Sequence, residues 1–204
     1  MTDNPEFAHW QQRFAGPDYL FGTEPNAFLK AHAHLLKKGE KALAIADGEG
    51  RNGVFLAEQG LDVLSVDFSP LAQEKARKLA QERGITMHIE QADIINWAWP
   101  EAAFDVVAAI FFQFALPAER DKIFAGIKKT LKPGGLLLLE GYGPKQIEYK
   151  TGGPSDLARL YTRELLEKAF ADFASLDVRA YDAVIEEGAR HSGMSALVDL
   201  VGRK

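Results

Sequence analysis

Residues 41–67, KALAIADGEGRNGVFLAEQGLDVLSVD, decide the fold. The apolar run KALAIA (41–46) reads as a strand. Gly48, Gly50 and Gly53 then turn the chain into a short helix over 52–59, stopped by Gly60, and DVLSV (62–66) is a second strand ending at Asp67. Glycines between a strand and a helix allow a tight turn and let a ligand lie against main-chain atoms. A carboxylate at Asp67 can accept both hydroxyl protons of a ribose. Together these features point to an adenosine-containing ligand at the C-terminal edge of a sheet. Each also has a plainer reading: the glycines as an ordinary turn, and Asp67 as a helix N-terminal charge beside Ser69.

The same alternation continues outward. Ser69-Pro70 opens a helix that runs to Arg83 and stops at Gly84. Residues 87–91 form a third, outer strand, and FDVVAAI (104–110) is apolar enough for the sheet centre. Residues 118–130 are helical, with Ile123, Phe124 and Ile127 on one face. Pro133-Gly134-Gly135 then turns into a fifth strand over 136–140. Strands alternating with helices predict a mostly parallel sheet covered on both faces. After a helix over 162–170, the segments 176–185 and 195–202 leave no room for a helix between them, so they predict an antiparallel edge pair. A helix over 23–36, opened by Glu24-Pro25, precedes the sheet. With no repeat, low-complexity tract or linker, the expectation is one domain over 1–204.

Composition narrows the function classes. The chain has 204 residues, 47% hydrophobic and 26% charged, which excludes a disordered or fibrous protein. Its net charge of −5 argues against nucleic acid or an anionic membrane as partner. The absence of cysteine excludes disulfides, cysteine metal sites and a thiol nucleophile. The acidic N-terminus is no secretory signal, and no apolar run approaches the roughly 20 residues that span a bilayer. A soluble cytoplasmic protein is expected. No histidine pair has metal-ligand spacing beside a carboxylate, so no metal is expected.

Taken literally, the glycine spacing is the nicotinamide-dinucleotide fingerprint. Three features favour another cofactor: Asp93-Ile94 after the third strand, where a carboxylate and a backbone amide can read an adenine edge; the turn LKPGG (131–135); and the antiparallel closing pair.

The landmarks AIADGEGRNG, SVDFSP, QADI, FDVVAAIFFQF and LKPGGLLLLEGY together resemble the class I S-adenosylmethionine-dependent methyltransferases over nearly the whole chain. WQQRF, YLFGTEPNAFL and YKTGGPSDLARLYT further resemble the small tellurite-resistance and thiopurine methyltransferase branch. The resemblance implies a Rossmann-like, doubly wound seven-stranded sheet of order 3-2-1-4-5-7-6, last strand antiparallel, in three α/β/α layers. Residues 1–38 would form a helical segment over the cofactor site. It implies S-adenosyl-L-methionine as cofactor, with Ala46, Gly48 and Gly50 beneath its methionine part, Asp67 on the ribose, and Phe68 on the adenine face. Asp93 and Ile94 would hold the adenine amine and ring nitrogen, and Ile110 and Phe111 would lie near the transferred methyl. Trp10 and Arg13 resemble the branch's cofactor clamp, in which a guanidinium pairs with the cofactor carboxylate. Where the family has an acidic residue and a glycine in and after strand one, this chain has Ala44 and Ala46. Asp47, Glu49 or a backbone carbonyl is then left to bind the cofactor ammonium.

Methyl transfer from a sulfonium chiefly needs alignment and exclusion of water, with a base only where the acceptor must lose a proton. His191 and Tyr19 are the candidate catalytic side chains, His191 as a base or anion donor on the loop between the last two strands. Arg190 is a candidate helper for an anionic acceptor, Tyr142 a candidate pocket wall, and Gly152-Gly153-Pro154 a candidate loop over the acceptor side. Each has a plainer reading as solvated or packing residues. The expected reaction is in-line methyl transfer to a small-molecule acceptor, a thiol or chalcogen oxyanion, by a monomer or homodimer without nucleic-acid or membrane partners. Two alternatives stay open: an NAD(P)-dependent oxidoreductase, and a non-catalytic S-adenosylmethionine-binding protein, the latter raised by Ala44 and Ala46.

Overall fold

A computed structural model describes residues 5–188 and 191–204. In chain order the main elements are α1 (Pro5–Phe14), α2 (Ala27–Ala31), β1 (Lys41–Ile45), α3 (Arg51–Glu58), β2 (Asp62–Asp67), α4 (Pro70–Glu82), β3 (His88–Gln91), β4 (Phe104–Ile110), α5 (Pro117–Thr130), β5 (Leu131–Tyr142), α6 (Gln146–Tyr149), α7 (Arg163–Ala169), β6 (Ser175–Glu187) and β7 (His191–Arg203). The strands form one sheet of order β3-β2-β1-β4-β5-β7-β6. β1 to β5 pair in parallel, and β7 runs antiparallel to both of its neighbours. This is the Rossmann-like topology expected from the sequence.

The central strands are apolar on both faces because both are covered. In β1, Leu43 and Ile45 join one core while Ala42 and Ala44 join the other; in β4, Val107 and Ala109 face opposite to Val106, Ala108 and Ile110. The first core takes Ile123, Phe124 and Ile127 from α5 and Leu166 from α7; the second takes Phe28 and Leu29 from α2 and Phe55 and Leu56 from α3. Side chains alternating across the strand plane produce this division. β3, at the edge, is short and mostly exposed. The strand order reverses beside β1, which opens a crevice beyond the carboxyl ends of β1 and β4.

The structure corrects three local expectations. The helix expected over 23–36 is the single turn and a half of α2 followed by a 3₁₀ turn at Ala33–Leu35. Asn26 starts it, its side-chain oxygen accepting from the Leu29 amide, so Glu24-Pro25 stays outside the helix. The closing strands are longer than expected and pair down to Glu187 opposite His191. His191 is therefore no loop residue: it opens β7 and is 7% exposed.

Candidate active site

A cavity of about 900 Å³ occupies the crevice, within the size usual for small-ligand sites. Its floor is the turn after β1 and the ends of β2 and β4. Its walls include Trp10, Arg13 and Phe14 from α1, Phe21, and the stretch 152–156. A second chamber of about 70 Å³, lined by Phe7, Asp93 and Ile94, shares Ala46, Asp67, Phe68 and Phe114 with the first.

The turn after β1 is built from left-handed residues: Ala46 at φ 46°, Gly48 at 57° and Gly50 at 87°. Ala46 adopts this conformation despite its Cβ, where a glycine is cheaper. At Gly50 a Cβ would lie 2.6 Å from that of Ala76, so glycine also lets α4 approach.

Asp67 stands where the two chambers meet. Its carboxylate accepts from the Gly48 amide (2.9 Å) and the Ser69 amide (2.8 Å), and burial pushes its pKa up to about 6. The Phe68 ring lies 5.6 Å from Phe7 and 6.3 Å from Phe114, against the small chamber. Asp93 lines that chamber while accepting from the Ile95 amide and Asn96 Nδ2. The Arg13 guanidinium stacks 4.5 Å from the centre of the Trp10 ring, and both line the large cavity.

Asp47 also lines the cavity, yet its carboxylate accepts from the Gly53 amide at 3.1 Å and from Ser65 Oγ at 2.7 Å. It thereby anchors the first turn of α3, and burial pushes its pKa up to about 7. Glu49 turns away: it accepts from the Leu20 amide (2.7 Å) and from Lys75 Nζ (2.8 Å), fastening the chain before α2 to α4. Tyr19 belongs to the same fastening. Its hydroxyl donates to the Lys75 carbonyl, and its ring packs beside Val54 and Leu79. Neither Glu49, Gly50 nor Tyr19 is among the residues that line the cavity, so the structure separates Tyr19 from the place where chemistry is expected. Arg190 lies outside the described residues.

One end of the cavity is aromatic. Phe111 and Tyr142 stand 4.7 Å apart, and the His191 ring lies 4.5 Å from both Phe111 and Phe21. Phe111 is held at φ 51° with its amide donating to the Glu140 carbonyl. The stretch 152–156 lines the same cavity. Gly153 sits so close to the Tyr142 ring that a Cβ would be 2.5 Å from it. His191 stays neutral: burial, with Arg51 and Arg13 nearby, lowers its pKa to about 3. Tyr142 is raised by burial and by the Glu187 and Glu140 charges.

Beneath that end lies a network with no precedent in the sequence reading. Arg51 Nη2 donates to Glu187 at 2.6 Å. Glu187 also accepts from Asn26 Nδ2 and the Ala27 amide, Asn26 Nδ2 reaches Glu140, and the Asn26 amide donates to Asn52 Oδ1. Burial and the facing Asp199 carboxylate push Glu140 well up. Arg51, Asn26, Glu187 and Phe21 were not singled out beforehand. Arg51 stood inside the quoted glycine turn, and its charge at the start of an otherwise buried helix was the available clue.

Residues 42–135 match the family described as a methyltransferase domain. A demethylmenaquinone methyltransferase of Thermus thermophilus is 32% identical over 112 residues, 54% of this chain and 50% of that one. A 2-heptyl-1-hydroxyquinolin-4(1H)-one methyltransferase of Mycobacteroides abscessus is 24% identical over 177 residues, 82% of this chain and 78% of that one. The chain spans about half the length of the Thermus relative. A structure described as "Conversion of a Disulfide Bond into a Thioacetal Group during Echinomycin Biosynthesis" superposes with a TM-score of 0.76 at 18% identity, covering 98% of this chain and 93% of that one. The matched family and both relatives are methyltransferases, and the superposed structure shares the fold. Among the described residues no helix is long and apolar enough to cross a membrane.

Proposed function

We propose that the protein transfers a methyl group from S-adenosylmethionine to a small-molecule acceptor, a thiol or a chalcogen oxyanion. The observation that carries this reading is the pair of chambers joined at the Asp67 carboxylate, at the point where the strand order reverses. Asp67 takes the ribose hydroxyls. Phe68, Asp93 and Ile94 take the adenine in the small chamber, and Ala46 and Gly48 lie under the methionine part. Trp10 and Arg13 clamp its carboxylate. With Glu49 fastened to Lys75, the ammonium falls to Asp47 or to a main-chain carbonyl of the turn. The cofactor, when bound, supplies an electrophilic methyl on a sulfonium, whose carbon–sulfur bond breaks as the bond to the acceptor forms. The chain's part is to align the acceptor between Ile110, Phe111 and Tyr142 and to keep water out. His191, neutral and strongly resistant to protonation, suits hydrogen-bond donation to an anionic acceptor better than proton removal.

A second reading, a hydroxylated aromatic acceptor, is favoured by the rings of Phe21, Phe111 and Tyr142 and by the long alignment with the hydroxyquinolone methyltransferase. Titration calorimetry with S-adenosylhomocysteine, followed by a transfer assay over thiols, selenite and hydroxyaromatics, tests both. Binding with product from a thiol or selenite supports the first, and product only from a hydroxyaromatic supports the second. No binding of S-adenosylhomocysteine removes both.

A further inference from the structure

Glu140 on β5 and Asp199 on β7 stand directly opposite each other in the antiparallel ladder, 3% and 8% exposed. Their carboxyls lie within hydrogen-bonding reach of one another. Donors around them are few. Asn26 Nδ2 donates to Glu140 Oε2, and the Tyr181 hydroxyl donates to Asp199 Oδ2 at 2.8 Å. Asp199 Oδ1 is buried with no donor beside it. Ionised carboxylates only accept hydrogen bonds, so two of them in contact repel unless a proton lies between them.

The charged groups facing the pair do not supply a counterion. Arg51 is committed to Glu187 at 2.6 Å, and Glu187 brings a further negative charge. Arg179, opposite Asp199 on β6, is mostly exposed and holds Asp177 at 2.6 Å. His32, at the end of α2, acts on Asp199 only at a distance, with its Nδ1 2.9 Å from the Phe28 carbonyl. Burial keeps Tyr142 and Tyr181 neutral, and the β4 neighbour of Glu140 is the apolar Ile110. We propose that Glu140 and Asp199 share one buried proton that bolts the N-terminal segment to the closing hairpin, and that losing it in alkaline solution frees α2 from the sheet.

The fold decides which side yields. β5 and β7 pair without a break from Leu136–Arg203 to Tyr142–Leu197, so the strands cannot part around the two carboxyls. α2 is only five residues long and is held there by Asn26 Nδ2 and by the packing of Phe28 and Leu29. Once both carboxyls ionise, water must reach them, and α2 is the lighter cover. The segment that leads into α2 carries Phe21, a wall of the large cavity, so its release opens that cavity as well. The sign follows from burial. Glu140 is pushed well above its ordinary value of 4.5, so the stabilisation is full below that value and is lost as pH rises through the folded one.

The test compares the native protein with Glu140→Gln, in which an amide N–H replaces the shared proton, and with the double variant Glu140→Gln/Asp199→Asn. Infrared difference spectra at neutral pH should show a protonated-carboxyl band in the native protein that both variants lack. In urea unfolding the native folding equilibrium should fall about tenfold per pH unit relative to either variant, from about pH 5.5 until the folded pKa is passed. Hydrogen exchange, corrected for its intrinsic pH dependence, should show residues 24–31 losing protection over the same range in the native protein alone, while β4 stays protected. An unchanged infrared band, or stability curves parallel to those of the variants, would overturn the shared proton. Residues 24–31 that stay protected after the band has gone, or β4 opening together with them, would overturn the bolt. Should Glu140→Gln fail to fold, the double variant decides, and the native protein's own band and exchange, followed together with pH, decide without either. None of these readouts uses S-adenosylmethionine, so the inference stands or falls apart from the methyl-transfer reading.

Discussion

The two ends of the cavity satisfy their buried carboxylates in opposite ways. At the glycine-turn end Asp47 and Asp67 are held by main-chain amides and a hydroxyl: Gly53, Ser65, Gly48 and Ser69. At the aromatic end Glu187 is held by Arg51 and Asn26, which precede it by 136 and 161 residues. Local amides come with the turn and cost little further ordering. A remote ion pair exists only once the whole chain is folded, and each partner depends on the other to offset its desolvation.

The largest expected effect follows from that dependence. Glu187→Ala leaves Arg51 charged and buried, and should cost about 3–5 kcal/mol in urea unfolding. Replacing both partners by methionine should recover most of the loss. A double variant as unstable as the single one would show that the pair does not act as a unit.

At the other end Asp67→Ala should spare the fold more than Glu187→Ala and instead weaken S-adenosylhomocysteine tenfold or more, since charged hydrogen bonds are worth about 1.5–3 kcal/mol. Unchanged affinity by calorimetry would remove Asp67 from the ribose.

Asp47 gives the comparison a pH axis. Its folded pKa, about 7, lies above the ordinary value of 3.8, so the folded protein retains a proton that the unfolded chain has released. This contribution to stability is full below the ordinary value and is lost as pH rises through the folded one. Between pH 5 and 7 the native protein should therefore lose about 2 kcal/mol relative to Asp47→Asn, whose side chain does not titrate. Parallel stability curves for the two proteins would show that the carboxyl is ionised throughout. The smallest effect belongs to Tyr19→Phe. Losing one half-buried bond to the Lys75 carbonyl should cost about 1 kcal/mol or less, with turnover unchanged; a large fall in kcat would restore Tyr19 to the chemistry.

The same contrast explains what could be read from the sequence. Strand identity was legible because 41–45 and 104–110 are nearly continuous apolar runs, while the sheet order came from the resemblance to the methyltransferases. Asp67 and Asp93 were legible as positions because each ends or follows a strand. Their bonding was not: Asp47 and Glu49 were both candidates for one ammonium, yet one anchors a helix and the other ties Leu20 to Lys75. The helix over 23–36 was over-extended because its apolar residues keep a helical spacing while Asn26 sets the start from outside the repeat. His191 read as a loop residue because Gly188 and Gly193 flank it. Its place opposite Glu187 in the ladder and the rings of Phe21, Phe111 and Tyr142 around it bury it. The charge of Arg51 beside the glycine turn was visible, but its partner Glu187, 136 residues on, was not.

Asn26 bonds Asn52 through its main-chain amide and Glu140 and Glu187 through its side chain, so one residue gathers the early, middle and late parts of the polypeptide. During synthesis from the N-terminus the glycine turn can shape itself as soon as β2 and α4 have emerged. The knot at Asn26 must wait until the final hairpin leaves the ribosome. A nascent chain stalled before that hairpin should accordingly own the glycine turn but not the knot that closes the far wall of the cavity.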